Sequence, residues 1–109
     1  AIQDYYHNSP ICGQPASVSA NQAMFKWIKF ICERKNIEKM SRDMPIMIAS
    51  GADDPLGGFG EAVTTLYDLM KEMGFTDVTL KLYPTDRHEI LNELDKDKVY
   101  ADILEFFKK

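Results

Sequence analysis

Pro45 is followed by Ile46-Met47-Ile48-Ala49, a short run with no polar side chain on either face. Successive side chains of a strand point to opposite sides, so a run apolar at every position asks for cover on both faces. That environment is a parallel strand between layers of helix. Downstream, Val78, Leu80 and Leu82 alternate with Thr79, Lys81 and Tyr83, which predicts a strand with one exposed face, nearer a sheet edge. Between them, Ala62, Leu66, Leu69, Met70 and Met73 share one face of a helix over Glu61 to Met73, and Gly74 is its stop. Strand, helix and strand in this order make a right-handed βαβ unit. A last helix follows, capped by Asp95 or Asp97, with Val99, Ile103, Phe106 and Phe107 as its buried stripe. The fold class is therefore α/β, with two parallel strands and covering helices. Two strands are too few for a finished sheet of this type, and the Ile46–Ala49 strand needs a neighbour that this chain does not supply. The expectation is the C-terminal part of a larger fold, in keeping with a chain that begins Ala-Ile without Met.

The upstream part reads differently. Residues 1 to about 20 carry turn signals, Asn8-Ser9-Pro10 and Cys12-Gly13-Gln14-Pro15, and are expected to be irregular. Ser17, Ser19 and Asn21 are candidate caps for a helix over Gln22 to Glu33. Met24, Trp27, Ile28, Ile31 and Cys32 form its stripe, which Phe25 and Phe30 widen beyond the needs of a lone surface helix. Such a helix is either packed on two sides or lines an apolar pocket. The charged stretch Arg34 to Asp43 breaks the pattern and reads as a connector. The expected division is residues 1–42, then a βαβα portion over residues 43–109.

Composition narrows the function classes. With 45% hydrophobic and 28% charged residues, the 109-residue chain is globular rather than disordered. A net charge of −4 gives no reason to expect nucleic acid or an anionic membrane surface as partner. The longest apolar stretch falls well short of the ~20 residues of a membrane span, and no secretory signal is visible. Cys12 and Cys32 have no ligand-spaced companions, so two free thiols in a reducing cytoplasm is the expected state. No cofactor is implied.

Each strand breaks into a polar loop, Ser50-Gly51-Ala52-Asp53-Asp54-Pro55 after the first and Pro84-Thr85-Asp86-Arg87-His88-Glu89 after the second. In an open α/β sheet the ligand crevice lies beyond the carboxyl ends of the strands, so both loops open on that side. Their placement permits an Asp–His hydrogen bond, the base-and-acid part of a nucleophile–base–acid relay. A plainer reading stands beside it: Asp53 and Asp54 form the turn, and His88 pairs with Glu89 or Glu93. A metal site from Asp86, His88 and Glu89 lacks a second histidine at useful spacing. His7, beside Tyr5-Tyr6, reads as a surface residue.

Three stretches then carry a family resemblance: Pro45-Ile46-Met47-Ile48-Ala49-Ser50-Gly51-Ala52-Asp53-Asp54-Pro55-Leu56-Gly57, Leu80-Lys81-Leu82-Tyr83, and Arg87-His88-Glu89-Ile90-Leu91-Asn92-Glu93. They resemble the C-terminal part of α/β-hydrolases of the monoacylglycerol lipase and lysophospholipase branch, also grouped as serine aminopeptidase-like hydrolases. The Cys12–Pro15 turn and the aromatic helix resemble, more loosely, the end of that family's helical cap. The resemblance implies Asp54 as triad acid and His88 as general base, with Asp53 shaping the loop and Arg87, Glu89 and Glu93 bracing it. The family's nucleophile stands in a Gly-x-Ser-x-Gly elbow. Ser9, Ser17, Ser19, Ser41 and Ser50 are the serines here, and none sits in such an elbow; before Ser50 the required glycine position is Ile48.

The resemblance thus implies the acid-and-base portion of a serine hydrolase acting on acylglycerol or lysophospholipid-like carboxylic esters, its nucleophile outside this chain. These 109 residues alone are expected to be inactive. A second expectation, from another class, is an inactive module that forms a homodimer or swapped assembly through the Ile46–Ala49 edge.

Overall fold

The structure is a computed structural model that describes residues 2–109. The side chain of Tyr5, half of the aromatic pair beside His7, lies outside the described residues. The chain forms two compact units, Ala1–Met40 and Ser41–Lys109.

The first unit is helical. The opening stretch, expected to be irregular, holds helix α1 (Ile2–Asn8), and the turn signals take effect only after it. Helix α2 (Val18–Cys32) starts earlier than its apolar stripe because Ser17 is the cap, its Oγ accepting the Ala20 amide at 3.1 Å. The supposed connector contains a further turn of helix, α3 (Arg34–Ile37). It is secured by Asn36, whose side-chain amide donates to the Phe30 carbonyl at 2.7 Å. No residue of α2 is buried; Trp27 is 70% exposed and Phe25 64%. The packing on two sides that its stripe suggested is not supplied by this chain. Cys12 and Cys32 are free thiols.

The second unit is the βαβα portion. Strand β1 (Ile46–Gly51) pairs in parallel with β2 (Val78–Tyr83), in a register that places Ile46 opposite Val78 and Gly51 opposite Tyr83. Helix α4 (Glu61–Glu72) crosses between them and packs on both strands. It ends in a Schellman turn: the Phe75 amide reaches the Met70 carbonyl, the Gly74 amide reaches Lys71, and Gly74 has φ +88°. Any side chain at that φ would be strained. Met70 and Phe75 are buried at this corner. Arg42 closes it from outside, with its guanidinium 4.7 Å from the Phe75 ring centroid and Nε donating to the Met73 carbonyl at 3.0 Å.

Helix α5 (Lys96–Phe107) changes the reading of β2. The Thr79–Lys81–Tyr83 face, expected to be open, lies against α5. Tyr83 is only 2% exposed, and its hydroxyl donates to Asp102 at 3.0 Å. Lys81 lies on the same face because its long stem carries its ammonium outward to Asp102, 3.9 Å away. Val99 is fully buried, whereas Phe107, assigned to the buried stripe, is 76% exposed. A stripe at this spacing turns past the contact by the final residue of the helix. Among the described residues, no helix is long and apolar enough to cross a membrane.

Burial first, and then the Asp102 hydrogen bond, push the Tyr83 phenol up to about 12, so it stays a neutral donor. Tyr83→Phe should lower stability by about 1.5–3 kcal/mol, the range for a hydrogen bond to a charged group. Chemical unfolding of the two proteins measures the difference.

Candidate active site

Parallel pairing with Gly51 opposite Tyr83 sends both following loops out of one end of the sheet. The first loop bends at Ala52 and Asp53 and enters a short 3-10 turn at Pro55–Gly57. Asp54 caps that turn, its Oδ1 accepting the Leu56 amide at 3.0 Å. The second loop turns at Pro84 and Thr85. Thr85 has φ +68°, a left-handed conformation that costs a β-branched residue about 1–2 kcal/mol.

The loops are joined first by backbone. The Ala52 amide donates to the Tyr83 carbonyl and the Asp53 amide to the Asp86 carbonyl, each at 2.9 Å. Gly51 is the point of closest approach: a Cβ there would overlap the carbonyl oxygens of Asp86 and Arg87. Upon this frame His88 Nδ1 lies 3.1 Å from Asp54 Oδ2. The Asp54 side chain is 8% exposed and that of His88 67%. A nearly buried carboxylate therefore holds an imidazole that faces solvent.

Each neighbouring acid has a separate task. Asp53 is exposed and contributes its amide to the junction. Glu93 accepts the Arg87 amide at 3.1 Å, which braces the loop from the following turn. Glu89 accepts from the Asn92 side chain at 3.0 Å. Arg87 itself acts through its backbone, with its side chain exposed. The alternative pairing of His88 with Glu89 or Glu93 is not the one the structure makes. Asp86 is 2% exposed whereas His88 faces solvent, and among the described residues the trio Asp86, His88 and Glu89 does not converge. Ser50 directs its hydroxyl to the Gly51 carbonyl at 3.4 Å, within its own strand end. His7 is exposed, its ring edge-on to Tyr6 with centroids 6.0 Å apart.

The His88 hydrogen bond is the main cause that holds the Asp54 carboxyl below its ordinary range. The Leu56 amide acts in the same direction, and desolvation opposes both. An ionised Asp54 can accept from Nδ1–H, and that fixes the tautomer with Nε2 as the free acceptor. Chemically, such a pair can take a proton from a hydroxyl brought to Nε2 and stabilise the imidazolium that results.

A parallel strand pair, its crossover helix and two loops joined at the carboxyl ends form a partial α/β-hydrolase fold. The chain belongs to the serine aminopeptidase S33 family, whose model matches residues 1–95. A highly thermostable carboxyl esterase from Bacillus coagulans, solved in complex with glycerol, is 28% identical to it. The two superimpose with a TM-score of 0.87 over 98% of this chain, and the chain spans 35% of the length of that esterase. No curated protein is similar enough to match.

Sequence reasoning singled out Asp54, His88 and Glu93. It missed Gly51, whose need for a bare Cα arises only when the two loops meet. Gly51→Ala should force them apart and cost about 3 kcal/mol, as overpacking against rigid atoms does. Calorimetry would measure the loss, and the His88–Asp54 bond should break with it. In a second test, Asp54→Asn should flatten the acid limb of unfolding. A lowered carboxyl contributes stability that is present above its ordinary value of 3.8 and lost as pH falls through the folded value. Unfolding midpoints measured from pH 6 down to ~2 would show a shallower slope in the variant.

Proposed function

We propose that this chain is the acid-and-base portion of a serine hydrolase acting on carboxylic esters, with Asp54 as the triad acid and His88 as the general base. The observation that carries the reading is the 3.1 Å contact between Asp54 and Nδ1 of a solvent-facing His88. The nucleophile and the oxyanion donors come from residues outside this chain. His88 takes the nucleophile's proton at Nε2 as the ester carbonyl is attacked, then returns it to the leaving alcohol; Asp54 stays ionised throughout. The S33 family membership supports a serine hydrolase, and the similar carboxyl esterase supports ester chemistry.

For the substrate we propose acylglycerol or lysophospholipid-like esters. The open aromatic face of α2 supports this, since Phe25, Trp27 and Phe30 would offer apolar surface to an acyl chain. Residues 1–42 are then the end of the cap, and residues 43–109 the C-terminal core. A reducing, cytoplasmic setting accords with the free thiols.

In the intact protein, a fluorophosphonate probe should label one serine outside residues 1–109, and ester turnover should accompany it. His88→Ala should abolish labelling and lower kcat by at least ~10³-fold, and Asp54→Asn should lower it by on the order of 10⁴-fold. Undiminished turnover in His88→Ala would end the proposal.

A second reading has one observation in its favour. Strand β1 has β2 as its sole neighbour among the described residues, and an apolar edge seeks a partner. In that case the module pairs with a second copy through Ile46–Ala49. Light scattering on the 109-residue chain should then give a dimer that a charged residue in place of Ile48 disperses.

A further inference from the structure

Asp86 and Asp95 both depart from the default behaviour of an aspartate. Asp86 stands two residues before His88 in an otherwise exposed loop, yet it is 2% exposed, and its Oδ2 is buried without a hydrogen-bond partner. Asp95 occupies the cap position of α5, where its side chain should accept an amide of the first turn. It makes no such bond, and its Oδ1 is likewise buried without a partner. The two carboxyls interact with one another, and two carboxylates, each an acceptor alone, do not leave water to meet unless one carries a proton.

We propose that Asp86 and Asp95 share a single proton, and that this acid pair is the positioning element that ties the His88 loop to the start of α5. The backbone of Asp86 is already the hinge of the site, its carbonyl accepting the Asp53 amide and its amide donating to the Tyr83 carbonyl. Its side chain adds a third anchor, toward the helix. Through the Asp53 bond that anchor reaches the loop of Asp54, so the pair holds both members of the acid–base couple.

The surroundings favour the shared proton. Around Asp86 stand Tyr83 at the end of β2, Glu93 and Asp95 in the connection to α5, and Lys98 in its first turn. Burial first, then the hydrogen bond to Asp95 that only a protonated carboxyl can make, and the charges of Asp95 and Glu93, push the Asp86 carboxyl up to about 6. Lys98 pulls the other way. A carboxyl raised on folding lends stability that is complete below the ordinary value of 3.8 and is lost as pH rises through about 6. The anchor is thus tight in mild acid and loosens towards neutrality.

Asp86→Asn tests this, because its amide donates to the Asp95 carboxylate at every pH. In the intact wild-type protein, infrared spectra should show a protonated-carboxyl band that disappears as pH rises through about 6. The band should be absent in Asp86→Asn. The variant should unfold several degrees higher than wild type at neutral pH, with that advantage gone in mild acid. Exchange protection of the Asp53 and Arg87 amides should fall across the same pH interval in wild type and stay level in the variant. Asp95→Asn should reproduce all three effects, which guards against a single variant that folds poorly. Absence of the band, or parallel stability profiles for wild type and both variants, overturns the shared proton. A titrating band with amide protection unchanged overturns the positioning role. The catalytic consequence rests on His88 as base, but none of these readouts needs turnover. An intact band beside an inactive protein would therefore count against the ester reading alone.

Discussion

Gly51 passes so near the carbonyl oxygens of Asp86 and Arg87 that no side-chain atom fits between them, and the geometry of the site descends from that approach. Parallel pairing sets it up, because only strands running the same way deliver their following loops to one end. The Ala52 and Asp53 amides then fasten the loops by backbone alone. Asp54 and His88 meet as a result: their side chains need only bridge a gap that the main chain has already made small. A hydrogen bond between two flexible side chains would otherwise have to overcome the entropy of ordering both.

Much of this was legible in the sequence, for identifiable reasons. The run Ile46–Ala49 and the alternation after Val78 reported the strands because side-chain period and burial are linked directly. That an aspartate and a histidine could meet was legible because strand ends and loop sides follow from the βαβ order, while the choice of Asp54 over Asp53 came only with the family resemblance. What escaped reading depends on approach between distant segments. Tyr83 was placed on an open face, since nothing near it announces that α5 will cover it. Asp95 read as an ordinary cap, yet its side chain makes no cap bond and its Oδ1 is buried. The helix at Ile2–Asn8 was hidden behind turn signals that belong to the residues after it.

The two units differ in how far they satisfy themselves. Ser41–Lys109 has buried residues from α4, β2 and α5, and Arg42 and Tyr83 find hydrogen-bond partners at opposite ends of the sheet. In Ala1–Met40, the long helix α2 leaves every aromatic residue it carries more than half exposed. Large apolar surface of this kind is the mark of a face meant for contact. Its ring-rich composition suits a ligand or surface without directional polar groups.

The clasp of Arg42 on the Phe75 corner has a mechanical meaning. At that end, a guanidinium–ring contact, a Schellman turn and the bonds from Thr76 to the Arg42 carbonyl lock the strand starts together. At the other end, the strands run into a strained threonine and the buried carboxyl of Asp86. The root of the strand pair is thus held by ring, guanidinium and backbone groups, whereas the tip carries Asp54 and Asp86, whose carboxyls are shifted from their ordinary range. A change of acidity therefore reaches the molecule first at the end where His88 sits, through the two carboxyls that fasten its loop and its ring.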